Sequence, residues 1–131
     1  MPIFRSIGIA SPKSMRVDGS AIHIFDRATA QTTSDVLEFA VPAGLEIMRL
    51  DVRSTAGTMT FSVGVRPARA DSAIVANPTL FAAAGQAFTN GNRIIPVAAV
   101  KYDEDVVLTI TTAVAAGTVD LVIDGNAVGA R

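Results

Sequence analysis

The sequence predicts an all-β fold: an antiparallel two-sheet sandwich of about eight strands, of jelly-roll or Greek-key type, with one short helical turn and an extended N-terminal arm. Three observations carry this reading. From Leu37 to Asp124 the chain runs repeatedly at period 2, as in MTFSVGV, LTITT and TVDLVID. Strands with one apolar face must bury it against a second sheet or close on themselves. Between Arg66 and Arg93 the alternation stops, and so long a connection suits a crossover better than an up-and-down barrel. Finally, 131 residues make one domain, long enough to bury roughly two thirds of its unfolded surface without disulfides or metals.

The elements follow in order. Residues 1–20 read as an arm and residues 21–131 as the sandwich. The arm carries Arg5, Lys13 and Arg16 before its first acid, Asp18, while Pro2, Pro12 and Gly19 discourage regular structure. Its apolar residues, Ile3, Phe4, Ile7 and Ile9, suit either a groove on a neighbour or a first edge strand of the same chain. A short strand at Ala21–Phe25 precedes the polar loop RATAQTTSD.

VLEFAV turns Leu37, Phe39 and Val41 inward. Pro42-Ala43-Gly44 makes a tight turn, with proline in its second place and glycine in its fourth. LEIMRLDVRS then places Met48, Leu50 and Val52 in and Arg49, Asp51 and Arg53 out. Leu45 and Ile47 fall on the opposite parity, which implies a bulge or a late strand start. Thr55-Ala56-Gly57-Thr58 leads into a strand with Met59, Phe61, Val63 and Val65 inward, completing an expected meander of three strands. Asn77 and Pro78 resemble a helix start and Gly85 a helix stop, which predicts a helical turn through residues 79–84. Ile94–Lys101 reads as a strand that Pro96 confines to an edge or a bulge. Asp105–Thr112 and Gly117–Asp124 read as a closing hairpin, with Leu108, Ile110, Val119, Leu121 and Ile123 inward.

Composition limits the chemistry. The chain has no Cys and no Trp, one His and one Tyr, and a formal net charge of −1. A thiolate metal site and a disulfide framework are therefore excluded, and near-neutrality argues against nucleic-acid binding by bulk charge. No run of about 18 apolar residues predicts a membrane span. The N-terminus lacks the compact order of a secretory signal, so the chain reads as soluble and unsecreted. Half the residues are apolar and only 5% aromatic. That aliphatic excess, with a mean hydropathy of +0.42, points to surface covered by other subunits.

No catalytic, cofactor or metal residues emerge. His23 lies in AIHIF on a strand and reads as an exposed or edge-face histidine. Asp103-Glu104-Asp105 lacks the spacing and turn glycine of a calcium loop and reads as a solvated turn. Asp120 and Asp124 share the outward face of one strand, but nothing in the sequence buries either for acid–base work. Tyr102 and the phenylalanines do not alternate with basic residues as a base-stacking platform requires. The expectation is that the protein is not an enzyme.

Three segments together carry a resemblance: VLEFAVPAGLEIMRLDVRSTAGTMTFSVGV, DSAIVANPTLFAAAG and VVLTITTAVAAGTVDLVIDG. Their succession, over residues 36–125, resembles small β-sandwich virion proteins of tailed bacteriophages. The resemblance implies a capsid decoration (cement) protein or a related head or tail accessory subunit, with trimers favoured and the major capsid protein as partner. It places the protein on the capsid exterior, after synthesis in the host bacterial cytoplasm. The arm aligns with nothing in that pattern. Expected shell contacts are Arg5, Lys13 and Arg16, with Ile3 and Phe4 as apolar anchors. The alternative is a receptor- or carbohydrate-binding sandwich on a tail or head fibre, which the shortage of exposed aromatics disfavours.

Overall fold

The computed structural model describes residues 3–5, 21–89 and 91–129. Its strands are β1 (Ile3–Arg5), β2 (Ala21–Thr29), β3 (Val36–Val41), β4 (Leu45–Ser54), β5 (Thr60–Pro67), β6 (Asn77–Ala87), β7 (Asn92–Lys101), β8 (Val106–Ala113) and β9 (Thr118–Ala127). One sheet has the order β1-β3-β8-β5-β6 and the other β2-β9-β4-β7. All neighbours are antiparallel except β1, which lies parallel to β3 with Ile3 opposite Val36 and Arg5 opposite Glu38. Setting β1 aside, four strands in the order 2-9-4-7 face four in the order 3-8-5-6. That is a jelly roll, two interlocked Greek keys.

The alternating residues build the core. Leu37, Phe39, Leu50, Val52, Met59, Phe61, Val63, Leu108, Ile110, Val119, Leu121 and Ile123 are all buried between the sheets. Each such side chain stabilises the fold by about 1.5–3 kcal/mol relative to exposure. Phe61 also stacks on Phe88, with ring centroids 4.9 Å apart.

Both parities of β4 are accommodated. Leu45, Ile47, Leu50 and Val52 are buried, while Met48, expected to face inward, is exposed. Against β7 the extra residues lie on β7, between Pro96 and Val100. Against β9 the pairing passes from Ile47–Gly125 to Arg49–Asp124, so Met48 is the extra residue of a bulge. One inserted residue restores the inward face on either side of it. Pro96 of the edge strand β7 lies opposite Arg49, next to that bulge, the kind of place to which proline is confined within sheets.

Several expectations are corrected. The meander β3-β4-β5 does not form, because β4 lies in the opposite sheet from its two sequence neighbours. The closing hairpin does not form either: β8 and β9 belong to different sheets, and the segment between them crosses the end of the sandwich. The proposed helical turn is strand β6. Six residues bury too little to offset helix nucleation, and a helix there would leave the edge of β5 unpaired. As a strand the segment pairs Thr60 with Ala87, Phe61 with Gln86 and Val63 with Ala82. Gly85, at φ 94°, lies in a bulge of that strand rather than at a helix end. The turn after β3 is shifted by one residue, with Leu45 N–H donating to Pro42 O at 3.4 Å and Gly44 in the left-handed third place. Strand β2 runs on to Thr29, because Arg27 and Thr29 pair with Asp120 and Thr118 of β9.

Candidate assembly surface

The outer face of the β2-β9-β4-β7 sheet is where the polar side chains become organised. Cross-strand register sets four rows across it. The first is Arg27, Asp120, Arg53, Asn92; the second is Phe25, Val122, Asp51, Ile94; the third is His23, Asp124, Arg49, Pro96; the fourth, beyond the bulge, is Ala21, Asn126, Glu46, Lys101. These residues share a face because period 2 on each strand repeats it.

Charges alternate along the first and third rows. Arg27 grips Asp120 with two bonds, Nε–Oδ1 at 2.6 Å and Nη2–Oδ2 at 3.1 Å. Arg49 holds Asp124 through Nη2 at 2.6 Å and Nε at 2.9 Å, and His23 Nδ1 bonds the other oxygen of the same carboxylate. Arg53 donates to Asp51 Oδ2 at 2.6 and 3.0 Å, and Asn92 donates to Asp51 Oδ1 at 3.2 Å. The Arg27 guanidinium is held above its usual pKa range by its hydrogen bond to Asp120, and that of Arg53 by its bond to Asp51. Three arginines thus stand against three aspartates. Exposed pairs of this kind contribute little to stability, because solvent screens them.

Between the charged rows Phe25 is 53% exposed and Ile94 46%. The Arg27 guanidinium lies 6.0 Å from the Phe25 ring centroid. At one end of the face, Arg27, Arg53, Ser54, Thr118 and Asp120 border an open cleft of about 410 Å³. Its walls are already bonded to one another, since Ser54 Oγ donates to Thr118 O at 2.8 Å.

The opposite sheet offers less. On its outer side Glu38, 3% exposed, bonds Arg66 Nε at 2.6 Å, and that hydrogen bond raises the Arg66 pKa against the effect of burial. Just past β7, at the edge of the β2-β9-β4-β7 sheet, burial pushes the Tyr102 phenol up.

The sequence-predicted residues separate as follows. Ile3, Phe4 and Arg5 form β1, the strand that extends the sheet beyond β3. Lys13 and Arg16 lie outside the described residues. His23 is an exposed residue of the edge strand β2. In the acidic segment, Asp105 accepts Ala43 N–H at 2.9 Å, Glu104 accepts from Arg69 at 3.1 Å and from Ser72 Oγ, and Asp103 lies 3.0 Å from Lys101. That segment ties loops together. Among the described residues no group of three His, Cys, Asp or Glu is placed to hold a metal ion.

Asp120 and Asp124 do share an outward face, but as the middle of two charge rows rather than as a pair. Sequence reasoning saw the outward positions of Arg49, Asp51, Arg53 and Asp120. It missed that they interleave, because the alternation of sign becomes visible only once β9 is set between β2 and β4.

No protein-family model matches the chain, and no curated protein matches it in sequence. Its fold is similar to that of a chain in the capsid of Ralstonia phage GP4, with a TM-score of 0.58 at 15% identity over 95% of this chain and 97% of that one. A second solved structure, the pre-peptidase C-terminal domain of a collagenase from Bacillus anthracis, gives a TM-score of only 0.38 at 18% identity, over 92% of each chain. The first likeness covers nearly the whole of both chains and establishes a shared fold; the second is too distant to carry an argument.

Proposed function

We propose that this chain is a structural virion protein, a decoration subunit that binds the outside of an assembled phage head and stabilises it. The observation that carries the reading is the whole-chain likeness to a chain of a phage capsid. The likeness extends over 95% of this chain and 97% of the other, so it is carried by the fold as a whole and not by one motif. A jelly roll whose outer-face arginines and aspartates are paired to one another suits a mechanical part better than a catalyst, and no enzymatic activity is proposed.

The partner in this reading is the major capsid protein. In this reading residues 1–20 supply the grip: Ile3 and Phe4 act as apolar anchors from β1, at the edge of its sheet, and Arg5, Lys13 and Arg16 pair with acidic groups on the shell. Self-association of the sandwich would multiply these contacts. Several weak contacts made by one assembly bind more tightly than one by a hundredfold or more when geometry allows all to engage.

The test is reconstitution on undecorated heads, followed by imaging at subunit resolution. The expected result is density for the sandwich on the outer surface of the shell. Deleting residues 1–17 should leave a folded protein that no longer binds. Absence from the shell surface overturns the decoration role, whereas retained binding by the truncated chain overturns the role of the arm alone.

A further inference from the structure

The outer face of the β2-β9-β4-β7 sheet has a symmetry in its charges. Strand β9 carries Asp120 and Asp124; beside it, in the same two rows, β4 carries Arg53 and Arg49. In the row between them, the outermost strands carry Phe25 on β2 and Ile94 on β7. Consider a two-fold axis lying in the face and running along the strands between β9 and β4. It brings each row over itself, with β9 above β4 and β2 above β7.

Under that operation Asp120 meets Arg53 of the second copy, Asp124 meets Arg49, and Phe25 meets Ile94, each contact occurring twice as an isologous interface requires. Val122 comes over Asp51, a buried residue whose carboxylate is already held by Arg53 and Asn92. The other in-plane two-fold, running across the strands, is excluded by the same residues. It would set Asp120 against Asp124 and Arg53 against Arg49, and like charges opposed across a contact are strongly unfavourable. The charge pattern therefore selects one axis and one register.

We propose that this face is the contact between two copies of the chain, stacked sheet on sheet about the two-fold axis that runs along the strands. Its size suits the purpose. Four strands about 4.8 Å apart and about nine residues long give a face of roughly 20 by 30 Å, approaching the ~800 Å² per partner of a standard interface. The face is also accessible: the side chains of Arg27, Arg49 and Arg53 are half exposed or more. Each carboxylate already has a partner within its own chain, so stacking leaves no charge bare. Aligned packing of the two sheets at about −30° keeps the rows in register over the centre of the contact. The charges fix which copy fits and how; Val122 lies at the centre over Asp51, and the two Phe25–Ile94 contacts close the interface along its outer strands.

This inference does not depend on the capsid reading, and its test uses the isolated chain. Sedimentation velocity over a range of concentrations should show a two-copy species. Asp120→Arg with Asp124→Arg puts four arginines on the two central strands, and Arg49→Asp with Arg53→Asp puts four outward aspartates there in addition to Asp51. Each variant should be monomeric, while an equimolar mixture should restore a one-to-one pair. Circular dichroism establishes that both are folded. Should either fail to fold, Phe25→Ser with Ile94→Ser leaves every ion pair in place and should weaken association at least tenfold. A wild-type chain that stays monomeric, variants that associate as the wild type does, or a mixture that stays monomeric would each overturn the contact. A monomer whose charge variants lose binding to heads would assign the face to the shell, overturning the self-contact while leaving the decoration role intact.

Discussion

Gly64 of β5 lies directly against the backbone of Pro78 at the start of β6. A Cβ on Gly64 would overlap the carbonyl oxygen of Asn77 and the Cα and carbonyl carbon of Pro78. Two main chains thus approach as closely as atoms allow, and the bulged edge strand β6 is anchored on β5 at that point. Gly125 plays the same part in the other sheet, where a Cβ would overlap Glu46 O.

Gly64→Ala should therefore destabilise the protein, although glycine to alanine ordinarily stiffens a strand. The obstacle is backbone and cannot rotate away, so the cost should reach the upper part of the about 1–3 kcal/mol range for overpacking. Gly57, which has open space around it, is the control: Gly57→Ala should change stability by less than about 0.5 kcal/mol. Urea unfolding of the three proteins checks this. Equal midpoints for Gly64→Ala and wild type would show that β6 is not held there.

The contrast between faces and pairings explains what was legible in the sequence. Leu37, Phe39, Phe61, Ile110 and Leu121 could be assigned to the core because period 2 reports directly which face is apolar. The irregularity in β4 was legible too, since Leu45 and Ile47 break parity with Leu50 and Val52, but parity alone left a bulge and a late strand start equally open and set Met48 on the wrong face. Pairing was not. A strand with one apolar face looks the same whether its neighbour is the next strand in sequence or one far along the chain. Hence β3-β4-β5 reads as a meander and β8-β9 as a hairpin, although both pass from sheet to sheet. In β6, Pro78 and the alanines resemble a helix locally, and the unpaired edge of β5 outweighs that preference. The charge rows were hidden for the same reason, because Arg27 and Asp120 become neighbours only through pairing of β2 with β9.

The bulge at Met48 yields a contrast among neighbouring residues. Met48 is 42% exposed whereas Leu50, two residues on, is fully buried. Met48→Ser should change stability by less than about 0.5 kcal/mol, and Leu50→Ala should cost about 2–5 kcal/mol. Deleting Met48 should be far worse than substituting it. Without the extra residue, either Leu45 and Ile47 or Leu50 and Val52 must turn to the outer face, since a slip of one reverses every side chain. Guanidinium unfolding of the three variants measures the order, and a deletion as stable as Met48→Ser would remove the bulge from the account.

Asp35 makes the fold sensitive to acid at one loop. Its carboxylate is buried and accepts three bonds: Gln31 N–H at 2.5 Å, Thr32 N–H at 2.8 Å and Thr32 Oγ1–H at 2.6 Å. Its own carbonyl accepts Thr112 N–H at 2.9 Å, tying the loop to the end of β8. Burial pushes the Asp35 pKa up, but the hydrogen bonds from Thr32 and Gln31 outweigh it and hold the group below its ordinary value. A pKa lower in the folded chain than in the unfolded one means that the unfolded state binds the proton first. The stabilisation is therefore complete above the unfolded value of about 3.9 and is lost as pH falls through the folded value. Asp35→Asn should lower Tm at neutral pH, because an amide keeps the shape but turns one acceptor into a donor facing N–H groups. Melts of both proteins from neutral to acidic pH should show the gap in Tm narrowing below about pH 3.9. A gap that is constant with pH would mean that Asp35 acts through shape alone and not through its charge.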